Sequence, residues 1–172
     1  SADVSITGSG EDVGGIAGFA YNGGLITDSY ARGSVIGSTS VGGLLGRFYG
    51  CGTCGPLTRT YATTRVTATS VGGGLVARDS PTPAAGAVAS YWDTLTSDQS
   101  TSANAAVGKT TTQLTTLSTF ASAGWSIGSG WAVSTTWGIC ARANNGYPFL
   151  TNTYTAATEP CTDSTPAEAS TE

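Results

Sequence analysis

One six-residue glycine motif recurs along this chain, and it constrains the fold more than any other feature. Val13-Gly14-Gly15-Ile16-Ala17-Gly18 returns as Val41-Gly42-Gly43-Leu44-Leu45-Gly46 and again, in looser form, as Val71-Gly72-Gly73-Gly74-Leu75-Val76, at spacings of 28 and 30 residues. A second landmark keeps step with it: Asp28-Ser29-Tyr30-Ala31, Arg59-Thr60-Tyr61-Ala62, then Ala89-Ser90-Tyr91-Trp92. A period of about 30 residues, filled with strand formers and without helical apolar spacing, predicts one coil stacked on the next. In such a stack each position recurs one strand spacing above itself, ~4.8 Å. Val13, Val41 and Val71 are then expected to form one inward ladder and Tyr30, Tyr61 and Tyr91 a second, with glycines at the corners, where the backbone needs positive φ or close approach.

Composition agrees. Glycine accounts for 25 of 172 residues and charged residues for only 10%, against about 25% charged in ordinary domains. The expected architecture is all-β: a right-handed β-solenoid of about three coils over residues 1–102, a helix-containing, tryptophan-rich cap over 103–150, and a threonine- and proline-rich tail over 151–172. A β-sandwich with chance glycine pairs is the competing architecture. The opening Val4-Ser5-Ile6-Thr7-Gly8 matches Ser34-Val35-Ile36-Gly37, the tail of a repeat. The chain is therefore expected to start in mid-coil, either trimmed from a longer solenoid or covered at this edge by another strand.

Within the cap, Thr110-Thr111-Thr112-Gln113-Leu114 has the spacing of a helix start with a capping box. Leu114, Leu117 and Phe120 follow on one face and Gly124 as a stop, which predicts a helix over about 111–122. Trp125, Trp131 and Trp137 come at spacings of six. They suit terminal-coil packing, or alternatively a stacking platform for sugars. With the edge residues Val4 and Ile6 they make up the candidate ligand or assembly surface.

The chain has no histidine, which excludes Ser-His and Cys-His nucleophilic arrangements and removes the commonest metal ligand. A net charge of −4 without a basic stripe argues against a nucleic-acid partner. No stretch reaches the ~20 apolar residues of a membrane span. Four cysteines without histidine suit disulfides better than metal. Of the three pairings, Cys51 with Cys54 and Cys140 with Cys161 is favoured by proximity along the chain. Asp93 and Asp98 bracket a loop with oxygen donors for calcium, although ordered turns use the same residues; otherwise no cofactor is expected.

The pattern Val-Gly-Gly-(Ile/Leu)-x-Gly, then Asn22-Gly23-Gly24, Ile26 and Asp28-Ser29-Tyr30-Ala31-x-Gly33-x-Val35-x-Gly37, resembles the GLUG repeat of bacterial surface proteins. Such repeats occur in secreted adhesins, filamentous-haemagglutinin-like proteins and the non-catalytic regions of some immunoglobulin A peptidases. The resemblance extends over roughly residues 4–150 and includes Ser90-Tyr91-Trp92-Asp93-Thr94 and Gly146-Tyr147-Pro148-Phe149-Leu150. The third repeat departs from it, with Gly74 at the expected leucine, and the second carries an inserted Cys51-Gly52-Thr53-Cys54. The resemblance implies an exported, non-catalytic β-helical region. The expected function is a structural module for cell-surface adhesion, partnered by adjoining repeats, other copies of itself, or a surface glycan. The alternatives are a subunit of an extracellular filament joined by strand pairing and, behind it, ice or carbohydrate binding.

Overall fold

The computed structural model describes residues 2–21, 25–49, 56–79, 86–130, 135–153 and 161. The chain divides into two compact units, Ser1–Leu114 and Thr115–Glu172. The first holds β1 (Ala2–Thr7), β2 (Asp12–Gly14), β3 (Ala17–Tyr21), β4 (Thr27–Gly37), β5 (Ser40–Gly42), β6 (Leu45–Tyr49), β7 (Thr58–Ala68), β8 (Val71–Gly73), β9 (Val76–Asp79) and β10 (Tyr91–Asp93). Helix α1 (Thr94–Ser97), β11 (Val107–Lys109) and helix α2 (Thr111–Leu114) complete it. Up to β10, every third strand pairs: the sheet orders are β1-β4-β7-β10-β11, β2-β5-β8 and β3-β6-β9. All these pairings are parallel. The described part of this unit is thus strand-rich, and none of its sheets closes on itself.

The tyrosines stack as the period predicts. Tyr30 is the register partner of Tyr61, and Tyr61 of Tyr91. All three are buried, and the rings of Tyr30 and Tyr61 lie 5.0 Å apart at 5°. The valines follow the expectation for one step only. Val13 pairs with Val41, and both pack with Val35 and Val66 in a buried cluster flanked by Val4 and Ile6. Val71, however, lies opposite Ser40, and Gly72 opposite Val41. The offset between repeats grows from 28 residues (Val13↔Val41) to 31 (Ser40↔Val71), so the third Val-Gly-Gly slides by one position. Leu75, and not Gly74, then occupies the place of Leu44, whose N–H it accepts at 2.9 Å. Gly72 replaces the valine because the Gln99 side chain fills that space, where a Cβ would meet it; its amide donates to the Val66 carbonyl at 3.2 Å.

The glycines serve close approach more than turning. A Cβ at Gly15 would strike the Gly43 carbonyl and the Ala31 methyl. At Gly43 it would strike the Gly74 carbonyl and Thr64 Oγ1, and at Gly74 the Trp92 indole. The second residue of each Gly-Gly therefore lies where the neighbouring circuit or a side chain of the adjoining sheet comes too close for a Cβ. Positive φ recurs instead at Asp28 (46°), Arg59 (51°) and Ala89 (47°), equivalent positions two residues before each stacked tyrosine. Left-handed backbone at non-glycine residues is uncommon, and stacking repeats it in every circuit.

The first unit also runs past the expected boundary at 102. The Thr101 carbonyl accepts from Gly74 N at 3.0 Å and Ala103 N donates to the Val76 carbonyl at 2.9 Å, while β11 adds to β10. Residues 99–109 therefore belong with the repeats.

In the second unit, helix α3 (Leu117–Ala121), β12 (Ile127–Ser129), β13 (Trp137–Ile139), a 3-10 turn (Asn144–Gly146) and β14 (Phe149–Leu150) succeed one another along the chain. Strand β13 pairs parallel with β12 and antiparallel with β14. The single helix expected over 111–122 is two short pieces, because Thr116 is extended (φ −111°, ψ 121°) as the N-cap of α3. Two consecutive β-branched threonines, Thr115 and Thr116, disfavour helix at that point. Leu117 is exposed, while Leu114 and Phe120 are buried.

Candidate functional site

Strands β1, β2 and β3 make up the first circuit, and each is an outer strand of its own sheet. Val4 and Ile6, half-buried on β1, point into the valine cluster, with Ile6 in register with Val35. Gly33 carries positive φ (103°), and a Cβ there would strike the Val4 carbonyl. Gly8 N donates to the Ile36 carbonyl at 2.9 Å. In a parallel ladder the direction alternates, so the N–H and C=O of Ser5 point to the open side.

On the opposite side of the repeats, residues 99–103 lie over Gly74–Val76, at the passage from β8 to β9. Ser102 Oγ accepts from Leu75 N at 3.2 Å and from Val76 N at 2.9 Å. The Trp92 indole lies over Gly74 and donates to the Gln99 carbonyl at 3.2 Å. Segment 99–103 thus binds the backbone of the last circuit, while three strand edges of the first circuit lie open among the described residues.

The remaining predicted residues separate into structural roles. Trp125 and Trp137 are 5% and 0% exposed, so they form no ligand surface. Trp125 packs between Phe120 and Trp137, with ring centroids at 4.8 and 4.7 Å, because large rings fill a small core that three short strands cannot close. Trp131 lies outside the described residues, as do Cys51 and Cys54. Cys140 and Cys161 are joined at 2.06 Å, and Cys140 sits in a small core with Ala143 and Phe149. Asp93 and Asp98 do not share a loop: they cap the two ends of α1. The buried Asp93 carboxylate accepts from Leu95 N, Thr96 N and Thr111 Oγ1 at 2.9, 3.1 and 2.7 Å. No group of three or more His, Cys, Asp or Glu residues occurs among the described residues, and no described helix is long and apolar enough to cross a membrane.

Two features escape the sequence reading. Arg59 grips Asp28 on the neighbouring circuit with Nε at 2.7 Å and a terminal nitrogen at 2.6 Å; this hydrogen bonding raises the already high guanidinium pKa. The signal for it is the Asp-to-Arg exchange at the same repeat position. Phe19, Tyr21 and Tyr49 are exposed and in mutual ring contact. Their signal is the Phe-x-Tyr alternation of β3 beside the Tyr49 that ends β6.

Comparison with known proteins places one circuit of this geometry in a recognised pattern. The GLUG motif matches residues 9–36. The matched stretch covers β2, β3 and β4 up to Ile36, one passage through the three sheets. Neither the curated proteins nor the solved structures contain a match.

Proposed function

We propose that the chain is a non-catalytic structural module of an extracellular surface protein, serving adhesion: a β-solenoid closed at one side of its stack and open at the other. The carrying observation is the asymmetry of the first unit: residues 99–103 bind over Gly74–Val76 of the last circuit, whereas β1, β2 and β3, at the other sheet edges, carry no such segment among the described residues. An edge of parallel strands accepts another rung of the same kind. The open side therefore suits an adjoining repeat, and the covered side suits the end of an array. The Cys140–Cys161 pair favours an oxidising compartment, and the GLUG match favours a surface protein.

The same asymmetry weighs against a filament joined end to end by strand pairing, which needs two open sides. Sedimentation and negative-stain microscopy of the native, non-reduced protein test the reading. The expected result is association limited to pairs at high concentration. Threads with an axial repeat of one subunit would replace the proposal with the filament, and a strict monomer at every concentration would remove the open edge as an assembly surface.

A further inference from the structure

We propose that the outward face of β3, β6 and β9 is a binding platform for an acidic polysaccharide. The inference concerns the outward side chains of β3, β6 and β9 and not the backbone edge of the first circuit, so either proposal can fail alone. Along β3 and β6 the alternation that buries Phe48 sends Phe19, Tyr21 and Tyr49 outward, at 47%, 58% and 36% exposure. The Tyr21 and Tyr49 ring centroids lie 5.2 Å apart, those of Phe19 and Tyr21 5.9 Å, and those of Phe19 and Tyr49 6.3 Å. The stacked tyrosines of the β4 sheet are buried, so aromatic exposure here is a property of this face and not of the composition. A contiguous patch of exposed rings is an interaction surface.

Charge selects the occupant. Arg47 lies 6.0 Å from the Phe19 ring centre, and its Nε is 3.1 Å from Asp12 Oδ1, so its charge is matched. Arg78 is the register partner of Arg47 on the next strand, is exposed and has no ion pair among the described residues. Arg47 and Arg78 stand on neighbouring strands, ~4.8 Å apart, and Asp12 pairs with Arg47, which leaves Arg78 as an exposed cation on the aromatic face in a chain of net charge −4. The C–H faces of pyranose rings stack on Phe19, Tyr21 and Tyr49, while a uronate carboxylate forms a bidentate pair with Arg78. From the rings to Arg78 is one to two strand spacings, ~5–10 Å, within the reach of a disaccharide. A single unmatched cation is too little for a run of phosphates.

The test is calorimetric titration with alginate and hyaluronan oligosaccharides, beside their carboxyl-reduced forms, using the wild-type protein, Arg78→Gln and the double variant Tyr21→Ala/Tyr49→Ala. Thermal melting checks that these exposed substitutions leave the fold intact. Arg78→Gln is expected to weaken an acidic ligand about tenfold, as loss of one charge-assisted pair implies, and to leave the reduced form unchanged. The aromatic double variant is expected to lose both. Absence of binding by wild type to either acidic oligosaccharide, equal affinity for acidic and reduced forms, or undiminished binding by the aromatic variant would each overturn the proposal. So would a concentration-dependent dimer abolished by the aromatic variant, which would assign the face to a second copy.

Discussion

Gly74 lies directly under the Trp92 indole, so a single methyl at this position tests the contact between two sheets. Gly74→Ala is expected to destabilise the first unit by about 1–3 kcal/mol, the usual range for overpacking, as measured by urea unfolding. In a Trp92→Ala background the same change should cost much less, because its partner is gone. The glycine was legible as a repeat letter, but its reason was not, since the colliding group comes from β10, 18 positions further on. Matching letters also misplaced Val71. Leu75 fits the pocket of Leu44, and that fit outweighs the visual likeness of two Val-Gly-Gly runs. A second residue-scale outcome concerns Tyr91, whose burial raises its phenol above the ordinary value near 10.0. The neutral ring is favoured in the fold, so stability is at its full value below the ordinary tyrosine pKa and falls as pH rises through the raised one. Spectrophotometric titration of wild type beside Tyr91→Phe should show that the variant loses a phenol ionising above the ordinary value.

Among the elements, strands were easier to foresee than helices. The stacked tyrosine positions come from period alone, because one circuit repeats on another. The helix start was also legible: Thr110 N donates to Gln113 Oε1 at 3.0 Å, and Gln113 N to Thr110 Oγ1 at 3.2 Å, a reciprocal capping box. The backbone path beyond Leu114 was not legible, because apolar spacing carried Leu114, Leu117 and Phe120 into one stripe while the two threonines between them broke the helix. The tryptophans illustrate a similar limit: spacing shows that Trp125 and Trp137 are near one another in sequence, and only packing shows that they face inward. In the second unit, the Cys140–Cys161 link spans 21 residues. Chain-entropy reasoning assigns a loop of that size about 3 kcal/mol. Cys140→Ala/Cys161→Ala should lower stability by that order in calorimetry without reductant, and added reductant should bring wild type to the same level.

For the repeats as a whole, what matters is which side of the stack remains available for another strand. Composition, period and motif made the parallel stacking legible. They did not reveal that residues 99–103 turn back over the last circuit, because Thr101, Ser102 and Ala103 look like ordinary loop residues until their backbone partners Gly74, Leu75 and Val76 are known. The open side is tested by blocking one outward donor. Ser5 donates nothing to β4, since that ladder uses the alternate residues of β1, and proline is tolerated in an edge strand whose N–H faces away from its neighbour. Ser5→Pro should therefore leave the melting temperature nearly unchanged while abolishing the pairs expected in sedimentation at high concentration. Proline at the equivalent Ser34, inside the sheet between β1 and β7, should lower the melting temperature sharply instead, since it removes a ladder hydrogen bond. If Ser5→Pro pairs as readily as wild type, the edge of β1 is not the joint, and association must run through another surface.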